Sequence, residues 1–365
     1  MWFYFNTSTG KKVSGSNDVA TKTINGNKYA FDEHGVMISE WMSESATESS
    51  KYYNDQTQGW MERKGWIWAV PSAELNGKDN DDDQYRWFYA PSSGKVVKDD
   101  VKSVNGKKYV FDEHGIMRAG LIVIGDDDKI NAIVDADETT GEQLMTGVIV
   151  PDDGVTYIPV QGTVDNTDDS TEALYYFGDE ETDGSMKTGK NIKIELEDDE
   201  YTFGFANNGK AYNGKEDNKI YLNGVLAKAS SDYRYQAIST IGIEGIGSND
   251  TLISDDYDIA AEVDSKLYSN YVVGTSGAIV KEGKYVKDSD DGYYAVSDNG
   301  SRKANATITE GVALDNNNKP VKGVVAYFED DEFARDKAKD WADCGAYGEE
   351  APDKDGDMKY TSVCE

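Results

Sequence analysis

Apolar and polar residues alternate over short runs along this chain, and the apolar members are mostly aromatic. In "KYAF", Tyr29 and Phe31 alternate with Lys28 and Ala30, the period of two expected of a strand with one buried face. Tyr109 and Phe111 repeat the pattern in "KYVF", and the longer stretches "KYAFDEHGVM" (Lys28–Met37) and "KYVFDEHGIM" (Lys108–Met117) are nearly identical. The Asp-Glu-His-Gly after each strand is turn chemistry, with Gly35 and Gly115 suited to a positive φ. Val36-Met37 and Ile116-Met117 then begin return strands, so each copy predicts a β-hairpin with an aromatic face. "WFYFNTSTGKKV" from Trp2 precedes the first copy and "WFYAPSSGKVV" from Trp87 the second. A catalytic constellation is needed once, so this duplication points to architecture.

Turn glycines recur at Gly10, Gly35, Gly59, Gly94 and Gly115, with the insertion "ELNGKDNDDDQ" (Glu74–Gln84) in the widest interval. Decayed copies follow in "ALYYFGDEETDGSMKTGK" from Ala173, "DEYTFGFANNGKAYNG" from Asp199 and "GYYAVSDNGSRKAN" from Gly292. A two-stranded hairpin cannot cover its aromatic face alone, so hairpins of this size must stack and share a core. The expected fold is all-β, an elongated β-solenoid of stacked hairpins. The chain divides into hairpin repeats over 1–225, an irregular insertion or break over 226–267 with a short helix at Ile259–Leu267, and degenerate repeats over 268–327. A helical cap and tail over 328–365 completes it, the helix running through "FEDDEFARDKAKDWADCG" with Phe333 and Trp341 as docking contacts.

Composition agrees with many short strands: there are 24 Tyr, 10 Phe, 7 Trp and 36 Gly but 6 Pro. The net charge of −32 would repel a phosphate backbone, which argues against nucleic acid as a partner. No apolar run approaches the roughly 20 residues of a membrane-spanning helix. Two cysteines, Cys344 and Cys364, could close a loop worth about 3 kcal/mol in an oxidising, extracellular setting, or remain free thiols. The amino end, "MWFYFN", has no basic stretch or cleavage site and starts within a repeat, so upstream sequence, including any signal peptide, is expected to precede it.

The pattern of aromatic triplet, turn glycine and "ING.KY.FDE.G.M" resembles the cell-wall-binding repeats of Gram-positive surface proteins: choline-binding repeats of autolysins, glucan-binding repeats of glucansucrases and carboxy-terminal repeats of large clostridial toxins. The resemblance implies a secreted or cell-surface module that does no chemistry and attaches to a cell-wall polysaccharide, teichoic-acid choline or another extracellular glycan. In the choline-binding branch a quaternary ammonium sits among ring faces from consecutive hairpins, often beside a methionine, each ring contact worth roughly 0.5–2 kcal/mol. Carried onto this sequence, Trp41 follows Gly35-Val36-Met37 and takes the first place, Tyr52 or Tyr53 the strand place, and Trp60 and Met61 the next hairpin's place, with Trp66 and Trp68 extending the surface. The indole place after the second copy is Leu121, and after Gly184 it is Lys190, so the resemblance implies one or two such sites near the amino end. An aromatic stripe at strand spacing also serves as core, and exposed hairpin edges also serve self-assembly. A structural, filament-forming repeat protein with no small ligand is therefore the second reading.

Other chemistry has less support. His34 and His114 occupy the same turn place in duplicate units, so a catalytic role would require the same reaction twice, and no triad has a third partner of its own. With 69 acidic residues, carboxylate pairs suited to glycoside hydrolysis arise by chance and none stands out. No cofactor is implied. The acidic turns at Asp79–Asp83, Gly125–Asp128 and Asp353–Asp357 offer oxygen ligands of the kind calcium takes, without the spacing of an EF-hand.

Overall fold

The computed structural model describes residues 1–16, 19–42, 50–145, 172–239, 270–298, 325–345, 347–348 and 350–364. The helix expected at Ile259–Leu267, most of the break over 226–267 and residues 299–324 of the degenerate repeats lie outside the described residues. The described chain is mainly β, with short antiparallel strands and few helices. It forms two compact units, one of residues 1–133 with 175–187, the other of 134–174 with 188–365. This partition follows contacts, whereas the sequence boundaries follow the decay of the repeat spelling.

In the first unit, successive hairpins pair Ala20–Ile24 with Asn27–Phe31, Glu40–Met42 with Lys51–Tyr53, Gly65–Ala69 with Arg86–Ala90, and Asp100–Val104 with Lys107–Phe111. The turns within the first and last of these are Asn25-Gly26 and Asn105-Gly106, all four residues at positive φ between 51° and 87°, the conformation that continues the strand twist through a two-residue hairpin. The Asp-Glu-His-Gly stretch is, as expected, the turn of a second hairpin, one strand further on, with Gly35 at φ 73° and Gly115 at φ 88°. There the Asp32 carboxylate accepts the Val36 N–H at 2.7 Å and the Asp112 carboxylate accepts the Ile116 N–H at 2.8 Å, reversing the chain toward Met37 and Met117, which pair with Phe31 and Phe111. The insertion after Glu74 folds into a short helix, Gly77–Asp81, capped by the Asn76 side chain.

Each hairpin puts one side of its alternation into a small cluster. Ala30, Met42, Tyr53 and Met61 form one cluster; Ile67, Ala69, Phe88, Ala90, Val96 and Ile116 another; Val110, Ile122, Ile124 and Phe177 a third. Residues far apart in sequence meet in each, so the hairpins bury their faces against one another, as strands too short to stand alone require.

The second unit contains a five-stranded antiparallel sheet of Gly189–Leu196, Asp199–Phe205, Val225–Leu226, Lys219–Leu222 and Gly214–Glu216, in that spatial order. It also holds a three-stranded sheet, Lys284–Lys287, Tyr293–Val296 and Val325–Phe328, against which the helix Ala334–Cys344 packs. Trp341 is fully buried there with Ala334, Ala338 and Ala342. Phe328 ends a strand, so the helix begins later than the sequence pattern suggests; Phe333 is its N-cap and stacks on Tyr360 at 6.0 Å. Cys344 and Cys364 are bridged, their Cα atoms 6.0 Å apart. No helix among the described residues is long and apolar enough to cross a membrane.

Candidate ligand-binding cleft

Strand alternation alone decides which aromatics of the hairpin Gly65–Ala69/Arg86–Ala90 can reach a ligand. Trp66 faces Tyr89 and Trp68 faces Trp87 in the register, which places all four on one side. Ile67 and Phe88 point the other way into the core. The next hairpin adds Tyr109 and Phe111 to the same aromatic layer. The Trp66 ring lies 4.7 Å from Tyr109 at 74°, 5.3 Å from Tyr89 at 64° and 6.2 Å from Trp87 at 84°, the edge-to-face geometry that aromatic quadrupoles favour.

Between these rings lies a cleft of about 200 Å³ lined by Trp66, Trp87, Tyr109, Met117 and the loop 180–184. Met117 can occupy its place because residue 184 is glycine: a Cβ there would sit 2.5 Å from the methionine Cε. The loop is shaped by Asp179, whose carboxylate accepts the N–H of Glu181 at 2.6 Å and of Thr182 at 3.1 Å. Asp183 is gripped by Lys107 at 2.8 Å and Lys187 at 3.0 Å. The hydrogen bond from Lys107, followed by those from Ser185 and Lys187, holds its carboxyl well below the usual carboxylate range. Arg86 bonds Asp79 with two nitrogens at 2.9 and 3.0 Å and reaches Glu180 at 3.5 Å.

Of the residues carried over from the resemblance, Trp66 lines this cleft, and Trp68, 49% exposed, flanks it against Trp87 at 4.8 Å. Trp41 and Tyr52 meet edge-on at 5.0 Å, half-buried, and the Trp41 indole N–H donates to the Val70 carbonyl at 2.6 Å. Burial pushes the Tyr52 hydroxyl pKa up. Trp60 donates its indole N–H to Glu62 at 3.2 Å and stands apart from this group. Tyr53 and Met61 are 0% and 5% exposed in the core, so a ligand would reach them only by displacing that packing.

The sequence reading missed Trp87, Tyr109, Met117 and the acidic loop. A signal existed for three of them: Trp87 opens the repeat, and Tyr109 and Met117 belong to its duplicated stretch. What it lacked was the register that sets Trp66 against them. A second cleft, about 390 Å³, lies in the other unit beside Lys215, Tyr271, Lys281 and Val296; one ring makes no cage. Among the described residues, no group of three or more His, Cys, Asp or Glu is placed to hold a metal ion, and Asp353 of one acidic turn pairs with Lys359 at 2.6 Å. His34 and His114 lie 3.6 and 3.4 Å from the neighbouring Glu33 and Glu113.

No family model matches the chain. Over 123 residues it is 32% identical to glucosyltransferase-S of Streptococcus mutans, a stretch that makes up 33% of this chain and 7% of that protein. The chain thus spans a small part of the length of that curated relative. Among solved structures it is similar to choline binding protein F from Streptococcus pneumoniae, crystallised with a peptidoglycan analogue, at 15% identity, covering 88% of this chain and 75% of that one with a TM-score of 0.38. It is also similar to the modular autolysin LytC of Streptococcus pneumoniae, at 14% identity over 76% of this chain and 46% of that one, TM-score 0.27.

Proposed function

We propose that this chain is a noncatalytic, secreted or cell-surface module that binds a cell-wall or extracellular ligand of the choline or carbohydrate type, and that the cleft at Trp66 is its binding site. One observation carries the reading: three rings from two hairpins and a methionine converge on one small cleft whose other wall is acidic. Ring faces attract a methylated ammonium through their quadrupole, and they also receive the apolar face of a sugar ring. The repeat spelling and the sequence match to a glucosyltransferase support both ligand classes. The bridged cysteines suit an oxidising compartment. The hairpins of the first unit stack as consecutive turns of a solenoid, each methionine of a repeat lying on a later turn glycine: Met37 on Gly59, Met61 on Gly94 and Met117 on Gly184.

Titration of tryptophan fluorescence with choline, and in parallel with soluble glucan, tests this. A saturable change lost in Trp66→Ala is expected. If neither ligand alters the emission, the rings are core alone, and repeat self-assembly, read by light scattering against concentration, becomes the better account.

A further inference from the structure

The helix Ala334–Cys344 turns two different faces to its surroundings. Ala334, Ala338, Trp341 and Ala342 enter the core beside Ala295, Ala326 and Phe328. Asp340 and Cys344 are four residues apart, so they stand one turn from each other on the other side of the helix. Both are buried, at 4% and 5% exposure.

A carboxylate this buried needs its charge held. Among the described residues no Lys, Arg or His pairs with Asp340. Its carboxylate instead accepts the Tyr360 hydroxyl, the Ser362 hydroxyl at 2.9 Å and the Val363 N–H at 3.2 Å. Segment 350–364 supplies all three donors; it begins as a hairpin of Glu350–Pro352 with Met358–Tyr360. The Tyr360 hydroxyl also accepts the Gly348 N–H at 3.2 Å, and its ring stacks on Phe333, the N-cap of the helix, at 6.0 Å. The residue after Val363 is Cys364, bridged to Cys344 with Cα atoms 6.0 Å apart. A chain fixed on Asp340 through Val363 therefore delivers Cys364 to the turn of helix that Cys344 ends.

We propose that residues 350–364 form a redox-locked strap: Asp340 docks it on the helix while both cysteines are thiols, and the bridge then locks a contact already made. Closure is a thiol–disulfide exchange with a small disulfide such as oxidised glutathione. The S–S bond of that molecule breaks as the Cys344–Cys364 bond forms, and the two thiol protons end on two molecules of reduced glutathione. Docking raises the effective concentration of one thiol at the other, which stabilises the bridge against reduction. In a reducing compartment the strap is held by its polar contacts alone; in an oxidising one it is closed.

The test places the full chain in graded mixtures of reduced and oxidised glutathione and measures the bridged fraction by thiol alkylation and mass. Tyr360→Phe with Ser362→Ala removes two donors and leaves Asp340, the helix core and both cysteines in place. The equilibrium constant for reduction of the bridge should be about tenfold larger in this variant, because hydrogen bonds to a charged acceptor outweigh neutral ones. A second measurement needs no bridge. With Cys344→Ser and Cys364→Ser together, cleavage by trypsin after Lys359 should stay slow, and adding the two donor changes should speed it about tenfold. An unchanged redox equilibrium in the donor variant overturns the proposal. Cleavage of the cysteine-free chain as fast with the donors as without them also overturns it, since the bridge alone would then hold the strap.

Discussion

The two copies of the repeated stretch share a backbone and differ in what they surround. In both, an Asn-Gly hairpin at positive φ leads into Tyr-x-Phe, an aspartate folds the next turn by accepting a backbone N–H, and a backbone carbonyl, of Val13 or Val97, lies within 3 Å of where a Cβ on Gly35 or Gly115 would stand. The correspondence extends to later repeats: the Met61 N–H donates to the Lys28 carbonyl at 2.8 Å and the Met186 N–H to the Lys108 carbonyl at 2.8 Å. Around the second copy, Trp66 and Trp87 flank Tyr109 and an acidic loop closes the cleft. Around the first, Trp2 is 59% exposed, Tyr4 meets Phe31 at 6.4 Å, and Gln56, Thr57 and Gln58 stand uncharged between Asp55 and Gly59. Duplicated backbone hydrogen bonds tolerate any side chain that faces outward, so architecture and binding chemistry diverge independently.

The strongest way to break the comparison is at the shared core. Phe31 and Phe111, at 2% and 0% exposure, should each lose about 3–5 kcal/mol on replacement by alanine, measured by denaturant unfolding. A large cost at one copy and a small one at the other would mean that the copies are not structurally equivalent. At the diverged positions the opposite holds: Trp87→Ala should weaken choline binding about tenfold, whereas Trp2→Ala, at the matching place, should leave it unchanged in the same titration.

The smallest effect separates the copies by pH. The Asp183 carboxyl is depressed in the folded state by Lys107, so its stabilisation is present above the unfolded carboxylate pKa of about 4 and is lost as pH falls toward the depressed value. The first copy has no acid at that loop position. Between pH 5 and about 2, the melting temperature of wild type should therefore fall more than that of Asp183→Asn. Equal falls would show that the ion pair adds nothing to the folded state, as exposed pairs often do.

Much of this was legible in the residues. Tyr29 and Phe31, Tyr109 and Phe111 announced strands because a period of two leaves no other regular structure, and the recurrence of the whole stretch announced repeats. The Asp-Glu-His-Gly turn was legible too, since Gly35 and Gly115 take positive φ and Met37 and Met117 return antiparallel to Phe31 and Phe111; the hairpin tip one strand earlier, at Asn25-Gly26 and Asn105-Gly106, was not read from the residues. Trp66 was found among the candidate ligand residues, while Tyr53 and Met61 from the same reading lie in the core, because alternation says which residues share a face and not which face is covered.

What the sequence determined by itself, then, is local: strand, turn, repeat and net charge, all set by neighbours a few positions apart. The tertiary structure alone decided that Trp66 and Trp87 meet Tyr109 and Met117 across hairpins, and that a loop from 180–184 returns to close them in. That convergence depends on cross-strand register and on a glycine small enough to admit a methionine from far along the chain, and no short-range pattern encodes either.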